Sequence, residues 1–259
     1  MNNVALITGA SSGIGKELAH IHATKGGDLV VVARSIDKLN ALQSDLQAKY
    51  GTTVKVIQKD LTHETAAQEV YDEVHQSGIT IDYLINNAGF GGVGKFHERE
   101  WSKDLSMIQL NIIALTALTR LFLPDMVSRN QGKILNVSST ASLLPGPMQA
   151  VYYATKAYVT SFSNAIAEEL YDKNISVTAL LPGATETDFG QVSGMDKTDL
   201  FTNTSSAREV AQAGYAAMID GDLNVLAGLS FPQKIMMKML PIVPKKALLS
   251  QIRKAQTVN

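Results

Sequence analysis

Short apolar runs alternate along the chain with longer amphipathic stretches. Residues 4–8, 29–33, 54–58, 83–86, 133–137, 176–181 and 224–227 read as strands. Several are apolar at nearly every position, as strands covered on both faces must be. Between them the period changes to that of a helix. Ile14, Leu18 and Ile21 stand at i, i+4 and i+7, and similar patterns fall at 36–49, 63–76, 102–129, 151–172 and 206–219. Strand–helix alternation predicts an α/β fold: a doubly wound parallel sheet of about seven strands, helices on both faces, in a single domain over 1–259. One stretch resists the pattern. Residues 185–205 are polar, rich in Thr and Gly, and follow directly on a strand, so they are expected to form an unstructured substrate lid.

Composition narrows the reading. With 45% hydrophobic and 18% charged residues, the 259-residue chain has the balance of an ordinary soluble globular protein. A net charge of −1 argues against a nucleic-acid partner. The absence of cysteine excludes disulfides, thiolate chemistry and cysteine-bound metal. The five histidines, His20, His22, His63, His75 and His97, are dispersed, and read as surface or helix polar residues with no metal site among them. Strand residues follow the opening Met-Asn-Asn at once, so no leader is expected. The longest apolar stretch, 112–123, is broken by Arg120, so no membrane span and a cytoplasmic location are expected.

Candidate chemistry begins at the first strand–helix junction, Thr8-Gly9-Ala10-Ser11-Ser12-Gly13-Ile14-Gly15. Glycines allow a tight turn and close approach of backbone to a pyrophosphate, and the helix start offers free N–H groups. Gly9, Ser11, Ser12, Gly13, Ile14 and Gly15 are therefore candidate dinucleotide contacts. The second strand ends at Arg34-Ser35, where an NAD site would place an acid. Arg34 offers a fork of donors to a 2′-phosphate and Ser35 another, so NADP(H) is expected over NAD(H).

Tyr152 and Lys156 are four apart on an expected helix and share one face. A nearby ammonium lowers a phenol's pKa towards a value useful for general acid–base work. Ser139 stands at the end of the fifth strand, where open α/β sheets bind ligands. Tyr153 points about a quarter-turn from Lys156, and alternation turns Ser138 to the other face of the strand.

Thr8–Gly15, Asn86-Asn87-Ala88-Gly89, Asn111, Ser139, the Tyr152/Lys156 pair and Pro182-Gly183 together resemble the motif set of the short-chain dehydrogenase/reductase family, in order and spacing from residue 4 to about 187. The resemblance implies a Rossmann-like fold and an oxidoreductase that moves a hydride between nicotinamide and a carbonyl or alcohol carbon. It implies catalytic roles for Asn111, Ser139, Tyr152 and Lys156. Tyr152 would exchange the proton, Lys156 would lower its pKa and bind the nicotinamide ribose, and Ser139 would orient the substrate oxygen. Asn111 would bend its helix and hold a water leading from Lys156 to solvent. Asp60 and Leu61 would meet the adenine. Asn87, Ala88 and Gly89 would pass the adenine ribose, and Pro182, Gly183, Thr185 and Thr187 would seat the carboxamide.

The C-terminal extension, 230–259, mixes Phe231, Ile235, Met236, Met237, Met239, Leu240, Ile242, Val243, Leu248 and Leu249 with lysines. It reads as pocket wall or subunit contact before membrane surface, because Pro232, Pro241 and Pro244 interrupt any long helix. Apolar positions on more than one face of the 108–126 and 151–172 helices predict a homodimer or homotetramer. Two other functions stay open. One is 3-oxoacyl-[acyl-carrier-protein] reduction, with Arg120, Arg129 and Lys133 as candidate docking residues. The other is a non-catalytic NADPH-binding regulator, disfavoured by the presence of Ser139, Tyr152 and Lys156.

Overall fold

The computed structural model describes residues 3–197, 204–239 and 245–256. Its elements run β1 (Val4–Thr8), α1 (Gly13–Thr24), β2 (Asp28–Ala33), α2 (Ile36–Tyr50), β3 (Val54–Gln58), α3 (Ala66–Gln76), β4 (Tyr83–Asn86), α4 (Trp101–Ile108), α5 (Leu115–Arg129), β5 (Gly132–Val137), α6 (Ala150–Glu169), β6 (Ile175–Pro182), β7 (Thr185–Glu186), α7 (Phe189–Ser193), β8 (Ser205–Ser206), α8 (Ala207–Asp220), β9 (Asn224–Ala227), α9 (Phe231–Met239) and α10 (Lys245–Gln256). Among the described residues seven strands form one sheet in the order β3-β2-β1-β4-β5-β6-β9. Every pairing in it is parallel.

Strand alternation divides the core in two. Ala5, Ile7, Leu29 and Val31 face α1, α2 and α8, where Leu18, Leu39 and Met218 are buried. Leu6, Val30, Val32 and Leu84 face the other way, onto Val70 of α3, Leu118 and Phe122 of α5 and Ile166 of α6. The chain order reverses between β1 and β4, and the crevice this opens at the strands' C-terminal ends is where doubly wound folds bind ligands.

Three expectations need correction. Residues 185–205 are not an unstructured insert: β7 pairs in parallel with β8, which pins both ends of the segment, and α7 forms between them; residues 198–203 lie outside the described residues. Leu240, Pro241, Ile242, Val243 and Pro244 also lie outside them. Trp101–Arg129 is a continuous helical stretch of 29 residues containing an 18-residue window of mean hydropathy 1.5, long and apolar enough by length and composition to cross a membrane. Arg120 therefore does not break the stretch as expected, and Leu115, Leu118, Phe122 and Met126 within it are buried in the core. His22 is one of the expected helix polar residues, buried in the core with Nδ1 bonded to the Tyr215 hydroxyl at 2.9 Å and Nε2 to the Asn3 carbonyl at 3.0 Å. Arg129 and Lys133, finally, point away from the crevice. Arg129 pairs with Asp82 at 2.9 Å, and Lys133 Nζ donates to the Ile219 carbonyl at 2.9 Å. Both sit at the N-terminal edge of the sheet, so they cannot be a docking patch beside the crevice.

Candidate active site

A cleft of about 910 Å³ runs over the C-terminal ends of the strands. One end is the turn between β1 and α1. Gly9 and Gly13 both have positive φ, +67° and +53°, which a residue with Cβ adopts only under strain. The turn is also tightly overlaid. A Cβ on Gly9 would come within 2.8 Å of Asn87 Nδ2, and one on Gly13 within 2.8 Å of Thr187 Cγ2. The first N–H groups of α1 have no intrahelical partner by geometry. Ser12 at the helix start adds no capping bond, so those donors face the cleft with a positive dipole end behind them. The turn is held in place from β4. Thr8 Oγ1 accepts from the N–H groups of Asn87 and Ala88, each at 3.0 Å, and Asn87 Nδ2 donates to the Thr8 carbonyl at 2.9 Å.

Of the expected site residues, Gly9, Ser11, Ser12, Gly13, Ile14, Arg34, Ser35, Asp60, Leu61, Asn87, Ala88, Gly89, Ser139, Tyr152, Lys156, Pro182, Gly183, Thr185 and Thr187 all line this one cleft. Gly15 and Asn111 do not; they support it from behind. A Cβ on Gly15 would meet Asn87 Nδ2 at 2.4 Å and the Gly9 carbonyl oxygen at 2.5 Å, so this glycine lets α1 close against the turn. Asn111 is buried on a π-helical turn, Gln109–Ala114, that interrupts the α4–α5 stretch. Its Oδ1 accepts from the Phe90 N–H at 3.2 Å, and its Nδ2 donates to the Phe90 carbonyl at 3.0 Å and to Thr155 Oγ1 at 3.1 Å.

At the adenosine end, Arg34 is 72% exposed and reaches no closer than 4.0 Å to Asp60, so its guanidinium remains available. Burial opposes ionisation of Asp60, but two hydrogen bonds from Thr62 and the Arg34 charge outweigh it and hold the carboxyl below its usual range. Asp28 is engaged at the opposite end of β2, accepting from the Thr53 N–H at 2.8 Å. Asp60 is the acid beside Arg34, and it is engaged by Thr62, whose N–H and hydroxyl donate to it at 3.0 and 2.8 Å.

The reactive groups come from α6 and the end of β5. Tyr152 is buried and shares the cleft with Ser139, the side chain that favours its ionised form. Ser139 Oγ also accepts from the Ala141 N–H at 3.1 Å, which turns it towards the cleft. Lys156 Nζ lies 5.9 Å from the centre of the Tyr152 ring and donates to the Val137 carbonyl at 2.8 Å. Burial lowers the Lys156 pKa to about 8. The phenol goes the other way from the expected shift. Burial raises the Tyr152 pKa above its ordinary value, and the nearby Ser139 hydroxyl only partly opposes it. Desolvation is decisive here because both groups sit away from water, and the ammonium is directed at a carbonyl.

Two features escape a reading of the sequence. Beneath the site runs a buried polar chain: Asn86 Nδ2 donates to Asn136 Oδ1 at 2.9 Å, and Asn136 Nδ2 to Ser163 Oγ at 2.9 Å, joining β4, β5 and α6. Isolated polar residues in strands and helices carry no sign that they will meet. Above the site, Gln256 in the last turn of α10 is fully buried and donates to the Tyr153 hydroxyl. This anchors α10, whose Leu248 and Ile252 wall the cleft, as do Met236 and Met237 of α9. Pocket wall, one of the expected roles for the extension, is therefore observed. Burial pushes the Tyr153 hydroxyl up to about 12, so it is a neutral partner for Gln256.

A parallel sheet with a glycine-rich turn at its switch point, and a Ser–Tyr–Lys group in the same cleft, is the arrangement of a Rossmann-type fold. The family model for short chain dehydrogenases matches residues 3–198, and the chain belongs to that family. It is 35% identical over 188 residues to a very-long-chain 3-oxoacyl-CoA reductase of Bos taurus, covering 69% of this chain and 58% of that one. It is 35% identical over 188 residues to a 17-beta-hydroxysteroid dehydrogenase type 3 of Mus musculus, covering 70% of this chain and 60% of that one. The chain thus spans about three-fifths of the length of these two relatives. A short-chain dehydrogenase from Sphingobium yanoikuyae, solved in complex with NADPH, superposes with a TM-score of 0.83 at 32% identity over 99% of this chain and 98% of that one. A bulky-bulky ketone specific alcohol dehydrogenase from Comamonas testosteroni superposes with a TM-score of 0.79 at 30% identity over 98% and 96%.

Proposed function

We propose that the protein is an NADP(H)-dependent reductase of bulky, apolar carbonyl compounds, with Tyr152 as the general acid. The observation that carries this reading is the placement of the buried Tyr152 beside Ser139 and Lys156 in the same cleft as the glycine turn and Arg34. The cradle suits a dinucleotide: at Gly9 and Gly13 a side chain would collide with the opposite wall, and the start of α1 offers donors for a pyrophosphate. Arg34 and Ser35 would hold the 2′-phosphate, and Pro182, Gly183, Thr185 and Thr187 the carboxamide end. The bound nicotinamide would supply hydride to the carbonyl carbon.

The protein's own residues manage the oxygen. Burial keeps Tyr152 protonated, so it holds a proton to give as negative charge develops on the carbonyl oxygen. Ser139 donates to the same oxygen, and stabilisation by such fixed donors is worth most in a site shielded from water. Lys156, with a pKa of about 8, remains mostly charged near neutrality and offsets the negative charge left on Tyr152. Asn111 acts at one remove, fixing Phe90 and Thr155.

The substrate end is apolar: Phe90, Leu144, Phe189, Met195, Met237 and Ile252 line it. The relatives' names describe an oxygen function on a large apolar skeleton, which fits such a wall. The 185–205 segment is read as the lid because Phe189 lies 5.5 Å from the Tyr152 ring, centre to centre. Ile113 and Tyr158 expose apolar surface on the helices expected to pair subunits, which supports a homodimer or homotetramer.

Turnover of a panel of bulky ketones, followed by NADPH oxidation, tests the proposal. Tyr152→Phe should abolish turnover and leave NADPH binding nearly intact. Retained turnover removes Tyr152 as the proton donor, and wild-type inactivity beside tight NADPH binding favours the regulator.

A further inference from the structure

The arm that closes the substrate end has a second apolar side. α9 turns Gln233, Met236 and Met237 towards the cleft. Phe231, Ile235 and Met239 recur every four positions and so form one stripe along the helix; they are 76%, 45% and 51% exposed. Val192 of α7, which lines the cleft, is also 65% exposed. A helix apolar on two flanks needs two apolar surroundings, and the cleft supplies one.

Charge identifies the other. The chain carries 23 basic and 24 acidic residues in all, yet no Asp or Glu follows Asp222. Lys234, Lys238, Lys245, Lys246, Arg253 and Lys254 do. Lys234 sits within the exposed stretch of α9, and Lys246, Arg253 and Lys254 are exposed on α10. The arm is thus uniformly basic on a chain that is acidic elsewhere, and its exposed apolar stripe lies on the same helix that walls the cleft.

We infer that this arm docks the mouth of the cleft on an anionic lipid bilayer. Phe231, Ile235 and Met239 enter the boundary between headgroups and acyl chains, while the lysines stay among the phosphates, their stems along the apolar surface. A bilayer offers an apolar layer beneath a negative one, the same order that α9 presents. A second copy of the chain fits poorly, because a two-fold contact would set an all-basic surface against itself.

Flotation of the full chain with phosphatidylcholine vesicles, with and without phosphatidylserine, tests this. Binding is expected only with phosphatidylserine present and should be released by salt. Lys234→Glu/Lys246→Glu and, separately, Phe231→Ser/Ile235→Ser should each lower the bound fraction roughly tenfold or more. Far-ultraviolet dichroism and NADPH binding should stay as in the wild type. The inference falls if the chain ignores anionic vesicles, if it binds neutral ones equally, or if either double variant floats like the wild type. It falls too if the apolar variant instead converts an oligomer to monomer by light scattering with vesicle binding unchanged.

Discussion

Lys156 is costly to the fold, and its removal should make the protein more stable. It is 5% exposed, and burial brings its pKa from 10.5 to about 8. That gap corresponds to about 3 kcal/mol against the charged form in the folded state. At pH 7 the lysine is charged in the folded and the unfolded chain alike, so the wild type bears the whole cost. Between about pH 8 and 10.5 the unfolded chain holds a proton that the folded chain has released, so wild-type stability rises with pH across that window. Lys156→Met keeps most of the packing volume and removes the charge. It also removes the hydrogen bond to the Val137 carbonyl, at a cost of about 1 kcal/mol. The net gain at pH 7 is then about 2 kcal/mol, and the melting temperature should rise by roughly 4–8 °C. Thermal melts of wild type and variant without nucleotide, at pH 7 and near the upper end of the window, measure it. The advantage should shrink at the higher pH, while ketone reduction is lost at both. A variant that melts at or below the wild type at pH 7, or whose advantage is independent of pH, refutes the assignment of Lys156 as a desolvated cation.

The remaining predictions concern the turn, the cofactor and the arm. Gly15→Ala places a methyl group 2.5 Å from the Gly9 carbonyl oxygen; overpacking of about 1–3 kcal/mol, less about 1 kcal/mol gained in helix propensity, should lower the melting temperature and weaken NADPH binding. An unchanged melt would show that α1 shifts freely. Arg34→Asp should move preference from NADPH towards NADH in a ratio of kcat/KM values; if the ratio stays constant, the 2′-phosphate is read elsewhere, with Lys38 the next basic residue on the cleft wall. Gln256→Ala deprives the Tyr153 hydroxyl of its donor and loosens α10. KM for a bulky ketone should rise roughly fivefold with NADPH affinity unchanged, and Tyr153→Phe should add little to it.

The seven strands of the sheet and the helices between them, through α8, were legible along the chain because each is a local pattern. All seven strands of the sheet stand within a residue of where the apolar runs place them, from β1 at Val4–Thr8 to β9 at Asn224–Ala227. The glycine turn was legible for the same reason, since a positive φ and a close approach both demand glycine at that point in the chain. Tyr152 and Lys156 share a helix, so four residues of spacing already put them side by side.

What only the tertiary structure decided depends on groups far apart in sequence. Desolvation reverses the expected shift of Tyr152, because it depends on how completely Met107, Ala141 and Phe189 exclude water and not on the distance between two helix positions. Gly15 and Asn111 act from behind the cleft because neighbouring segments occupy the space before them. Gln256 meets Tyr153 across 103 residues, and nothing in either residue's surroundings along the chain announces it. The pairing of β7 with β8 likewise turns a polar stretch without periodicity into a clasped segment, since two-residue strands are too short to leave a pattern. Local periodicity determined the elements; the burial and charge balance of the site were set by packing, which no window of sequence contains.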